Sequence, residues 1–97
     1  MAMTPVLFRK ERAGKFKGDV SAVFPTLPAG RGEMMCYAHV GQHSGCSLGW
    51  YNTTRRAVPS EYAQLLGELQ SIGYDDLHIY SRITGAMRDQ RNKAERN

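Results

Sequence analysis

The chain has 97 residues, 41% of them hydrophobic and 23% charged, and a net charge of +4. That suits one domain with a modest core and excludes a disordered chain, a membrane span of roughly 18 apolar residues and a disulfide framework. The opening Met-Ala-Met-Thr-Pro-Val has no basic region and no long apolar run. A cytoplasmic protein with reduced thiols is therefore expected, with no membrane partner.

Charge is unevenly placed. Residues 1–24 carry Arg9, Lys10, Arg12, Lys15 and Lys17 against Glu11 and Asp19, and residues 82–97 carry Arg82, Arg88, Arg91, Lys93 and Arg96 against Asp89 and Glu95. Residues 57–81 have no Lys or Arg but hold Glu61, Glu68, Asp75 and Asp76. An anionic partner would suit one side only; the same pattern also serves plain solubility.

Val6 to Lys10 is predicted as a first strand, Arg12-Ala13-Gly14 as a turn, and Phe16 to Phe24 as a second strand with Gly18 at a bulge or close approach. Residues 25–33, rich in Pro and Gly, are predicted as a loop. Met35 to Gly41 and Cys46 to Tyr51 are the third and fourth strands, joined by His43-Ser44-Gly45 with Gly45 in the left-handed position. Asn52 to Val58 is a polar connection. Pro59 then opens a helix whose apolar stripe is Tyr62, Leu65, Leu66, Leu69 and Ile72, ended by Gly73. Leu77 to Ile83 alternates as a fifth strand, returning to an edge or to the first strand. Thr84 caps a short terminal helix through Met87 to about Arg91, and residues 92–97 fray. The expected fold is one α+β domain over residues 1–97. It has an antiparallel meander of four to five strands, one amphipathic helix on one face and a short C-terminal helix.

Cys36-x2-His39-x3-His43-x2-Cys46 has the composition of a zinc site. Strand alternation argues against it. With Val40 opposite Leu48, Ala38 opposite Trp50 and Gln42 opposite Cys46, the two cysteines stand roughly 20 Å apart, and Cys36 and His39 face opposite ways. Neither a metal nor a disulfide spans that distance. No metal and no small-molecule cofactor are expected. The same geometry separates Cys and His for a nucleophilic pair, and Ser44 or Ser47 with a histidine lacks a third, acidic member. Asp75-Asp76 fits a polar turn, and Gly30-Arg31-Gly32 precedes a strand instead of joining strand to helix, so neither is a catalytic signature. An enzyme is not expected.

One helix covers one sheet face. The core parity takes Val6, Phe8, Val20, Ala22, Phe24, Ala38, Val40, Leu48, Trp50, Leu77 and Ile79. The other face would then display Arg9, Ser21, Tyr37, His39, Ser47, Tyr51, His78, Tyr80 and Arg82. Its binding candidates are Arg9, Tyr37, His39, Tyr51, His78, Tyr80 and Arg82. Such a face suits a protein partner or a homodimer seam, stacking of single-stranded nucleic acid, or plain solvent. A non-catalytic interaction or self-association module is the leading expectation, with single-stranded nucleic acid as the alternative.

The run Tyr37-Ala38-His39-Val40-Gly41-Gln42-His43, with Cys46-Ser47, Trp50-Tyr51 and the Arg/Pro/Glu-Tyr opening of the helix, resembles a set of small proteins of bacterial genomes and prophages. The resemblance spans most of residues 5–90. That set has no assigned activity, so it implies an accessory protein and carries over no site residue.

Overall fold

The computed structural model describes residues 3–38 and 42–96, with Gln42 described by its backbone alone. The fold is α+β, an open sheet of six strands with three helices. The strands β1 (Thr4–Glu11), β2 (Val20–Gly30), β3 (Glu33–Ala38) and β4 (Gln42–Cys46) form an antiparallel meander. There follow α1 (Leu48–Thr53), β5 (Thr54–Arg56), α2 (Pro59–Ser71), β6 (Leu77–Ile79) and α3 (Gly85–Arg96). No described helix is long and apolar enough to cross a membrane.

The outer edge of β1 takes two short strands end to end. β5 pairs antiparallel with Arg9–Glu11, and β6 pairs parallel with Thr4–Val6. Asp76 fixes the β6 junction: its carbonyl accepts from Thr4 N–H at 3.0 Å and its carboxylate from the Thr4 hydroxyl at 2.9 Å. The Asp75-Asp76 pair thus belongs to a turn, and the chain returns beside the first strand as its connectivity requires.

The first sheet face carries Val6, Phe8, Val20, Ala22, Phe24 and Tyr37 against α2, whose Leu65 and Leu69 are fully buried. Tyr62 stacks on Phe8 with ring centroids 4.3 Å apart, and Tyr74 on Phe24 at 5.1 Å. The helix starts where Pro59 fixes φ, and Glu61 Oε1 accepts from the Val58 N–H at 2.9 Å. It ends at Gly73, with φ at +116°, where a Cβ would be strained.

The second face is not open. Leu7, Val23, Met34, Cys36 and Cys46 form a second buried cluster under Leu48, Trp50, Tyr51, Tyr80 and Ile83. Along β1 and β2, Val6-Leu7-Phe8 and Ala22-Val23-Phe24 are buried without a break. Strands covered on both faces read as continuous apolar runs, and these do.

Several expected elements differ: the fifth strand, expected through Ile83, stops at Ile79, and the expected connection at 52–58 contains β5. Residues 14–19 fold as a turn with Gly14 and Gly18 at positive φ, so β2 begins at Val20 and Phe16 is exposed. β2 then continues through Pro25 and Pro28, where a loop is expected from composition. Its ladder to β1 ends at Leu7↔Val23, and its ladder to β3 shifts register between Phe24 and Gly30, so neither proline removes a regular ladder bond. Residues 48–53 are helix instead of strand because Ser47 caps them, its Oγ accepting from Trp50 N–H at 3.1 Å. α3 runs to Arg96 instead of fraying from residue 92. The buried Arg91 donates from Nη1 to the Pro25 carbonyl at 3.4 Å, and Glu95 Oε1 accepts from Gly32 N–H at 2.8 Å.

Two stability measurements follow. Leu69→Ala should cost about 2–5 kcal/mol in denaturant unfolding, because it opens a cavity under the sheet. The exposed Ile72→Ala should change stability by no more than about 0.5 kcal/mol. Glu61 receives Arg55 in a two-bond fork at 2.7 and 3.0 Å and Lys10 at 2.5 Å. Arg55, then Lys10, then the Val58 N–H hold its carboxyl well below the usual carboxylate range. The stability it gives is present at neutral pH and lost as pH falls below its ordinary unfolded value, about 4.3. Glu61→Gln should therefore lower Tm at pH 7 and shrink the drop in Tm on acidification.

Candidate functional site

The β3–β4 register determines what the second face offers. Met34 pairs with Cys46, Cys36 with Ser44, Tyr37 with His43 and Ala38 with Gln42. Even residues meet even residues, as the sequence required, but residues 43–45, expected as the turn, lie within β4. The pairings that would involve Val40 lie outside the described residues. Gly45 consequently sits within a strand and without positive φ. A Cβ there would lie 2.8 Å from Glu33 Oε1, so the bare backbone makes room for that carboxylate.

This register overturns the separation expected for the cysteines. Cys36 and Cys46 stand at diagonal positions on neighbouring strands, two residues apart in the register, on the same face and in the same buried cluster. Cys36 Sγ also lies 3.1 Å from Ser44 Oγ. The neighbouring Cys46 thiol, then the Ser44 hydroxyl and backbone, lower the Cys36 pKa against the opposing effects of burial and the Glu33 carboxylate. Cys46 is pushed up in turn, chiefly by the neighbouring Cys36 thiol. The buried Arg91 acts on Cys46 in the opposite sense, as a positive charge. Both cysteines are free thiols.

His43 has the opposite parity. It shares a hydrogen bond with the Tyr74 hydroxyl at 2.8 Å and packs edge-on to Tyr37 on the helix side. His39 lies outside the described residues. Among the described residues no group of three or more His, Cys, Asp or Glu is placed to hold a metal ion.

The seven expected binding residues do not share one surface. Tyr37, only 3% exposed, belongs to the α2 core, because it pairs with Ala22 and not with a residue of the other parity. A hydrogen bond to Glu68 raises its pKa. Arg9 and Tyr51 do meet: the guanidinium lies 4.2 Å above the Tyr51 ring and donates to Thr54 Oγ1 at 2.8 Å and to Thr54 O at 2.6 Å. Burial lowers the Arg9 pKa and Tyr51 partly offsets this. Tyr80, anchored by its N–H to Val6 O at 2.9 Å, packs on the second cluster. His78 and Arg82 are exposed. The tyrosine platform is therefore absent among the described residues: one ring is core, one lies under an arginine and one helps close the face.

What remains accessible is a groove of about 680 Å³. Ser21, Cys36, Ala38, Ser44 and Cys46 line it from the strands, with Trp50 on one side and Phe16 and Asp19 of the β1–β2 turn on another. Among the described residues, Glu11, Asp19 and Glu33 are its charged lining residues and no cation lines it. Trp50 is held by its indole N–H, which donates to Glu11 Oε1 at 2.6 Å. The outer strand β4 borders the groove with Ser44 to Cys46. No protein-family model, curated protein or solved structure matches the chain.

Cys36 should behave as an acidic thiol. Its alkylation by iodoacetamide should rise with pH to a midpoint below the ordinary thiol range and then level off. In Cys46→Ala the midpoint should move toward about 8.5, the ordinary thiol value. Peptide mass mapping of the alkylated site at a series of pH values reads both results.

Proposed function

We propose that the protein is a non-catalytic interaction module that takes an extended, basic segment of a protein partner in the groove beside β4. The observation that carries this reading is the groove's charge. In a chain of net charge +4, the groove has an apolar floor and, among the described residues, only carboxylates as its charged lining. An apolar side chain flanked by Lys or Arg suits such a lining, and unpaired N–H and C=O groups on an outer strand can accept a partner strand. Self-association face to face fits less well, because a second copy would bring the same three carboxylates.

The resemblance to small bacterial and prophage proteins supports an accessory role beside a larger partner. A cytoplasmic site of action is part of the same reading, supported by the two free thiols.

Single-stranded nucleic acid is a second reading, supported by Lys10, Arg12, Lys17 and Arg55 around one exposed pocket. It is the weaker one. Lys10 and Arg55 are already paired with Glu61, and no row of free aromatic rings adjoins them to stack bases.

Trp50, the single tryptophan, reports on the groove directly. A short peptide alternating Lys with Leu or Val should change its emission and bind at least about tenfold tighter than the Glu counterpart at low salt, a difference of about 1.4 kcal/mol. Ala38→Arg should abolish the response. The proposal fails if neither peptide perturbs Trp50 while a labelled single-stranded oligonucleotide binds with a steep salt dependence.

A further inference from the structure

The paired thiols in the groove have no role in peptide docking, and their placement is unusual for core cysteines. A small buried thiol ordinarily packs among apolar groups and is inert. Here the two thiols share one face of neighbouring strands at diagonal register positions, a serine hydroxyl sits 3.1 Å from the Cys36 sulfur, and both cysteines line an accessible cavity. Arg91, buried and with no hydrogen-bond partner at Nε, places a positive charge near Cys46.

We propose that Cys36 and Cys46 form a thiol–disulfide exchange centre, with Cys36 as the attacking sulfur and Cys46 as the resolving one, and a small cationic disulfide as the oxidant. In the first step the Cys36 thiolate attacks one sulfur of the small disulfide. A bond forms between the two sulfurs, the small S–S bond breaks, and one small thiolate leaves and takes up a proton. In the second step Cys46 loses its proton to water and attacks Cys36 Sγ. The second small thiol leaves, and a bond joins Cys36 to Cys46. Two protein thiols are oxidised and one small disulfide is reduced to two thiols, so electrons balance.

The roles follow from the surroundings. Cys36 is the sulfur within 3.1 Å of the Ser44 hydroxyl, a donor that can stabilise its thiolate, and Cys46, at the diagonal position on β4, is placed to attack it once the mixed disulfide has formed. The oxidant's charge follows from Glu11, Asp19 and Glu33, which attract a cation and repel an anion. Closure ties the outer strand β4 to β3 beneath the groove. The proposal does not rest on the peptide reading, since it concerns the floor of the groove and needs no partner.

Cystamine is the probe, with oxidised glutathione, which is anionic, as the comparison. Folded protein is incubated with each, quenched in acid and weighed intact. Cystamine should convert the wild type to a species lacking two hydrogens and carrying no adduct. Cys46→Ser should stop with one cysteamine attached at Cys36, and Cys36→Ser should react at least about tenfold more slowly than the wild type. Circular dichroism confirms that the variants are folded, and the wild-type mass decides the outcome without them. The proposal is overturned if native wild type keeps both thiols while unfolded protein reacts, if it ends as a stable mixed disulfide, or if Cys36→Ser reacts as fast. Equal rates with the two disulfides would overturn the assigned oxidant class.

Discussion

The structure depends on burying β1 and β2 from both sides at once. Val6, Leu7 and Phe8 are successive residues whose side chains alternate across the sheet, and all three are buried, as are their partners Ala22, Val23 and Phe24. A strand pair of this kind cannot be satisfied by a single helix. The helix α2 covers the Val6, Phe8, Ala22 and Phe24 side. The Leu7 and Val23 side then needs a second cover, and the chain supplies it from α1, the turn after β6 and residues around Ile83. The cover is incomplete over β3, β4 and the start of β2, and the gap is the groove. The candidate site is thus a consequence of how the second layer runs out.

The same constraint decides which residues the groove contains. Tyr37 must share a face with Ala22, because β2 and β3 pair them, so Cys36 must share the other face with Val23. With Cys36 paired to Ser44 and Met34 to Cys46, Ser44 and Cys46 come to that face too, and a serine and two thiols meet where the cover ends. A shift of the turn by four residues would have kept the parity and scattered the set.

Much of the architecture was legible in the sequence. The stripe Tyr62, Leu65, Leu66, Leu69 between Pro59 and Gly73 has helical period, punctuation and length together, and α2 has those bounds within a residue or two. The β1–β2 pairing and the return beside β1 were equally readable. The two-sided burial is also written in the chain, as the unbroken runs at residues 6–8 and 22–24, but the alternation of the flanking residues points to one buried face. The apolar spacing of Cys46, Leu48 and Trp50 fits a strand as well as a capped turn of helix, and only the Ser47 hydroxyl on the Trp50 N–H separates the two. Odd loop length was deducible from parity; the position of the loop was not, because pairings centred on 40 and on 44 satisfy the same alternation.

The register of β3 and β4 supports the groove, the thiol pair and the burial of Tyr37 together, so it is the claim to test first. Cross-strand proton–proton contacts in the NMR spectrum measure it directly. The account predicts contacts between Cys36 and Ser44 and between Met34 and Cys46. Contacts between Ala38 and Trp50 in their place would contradict it.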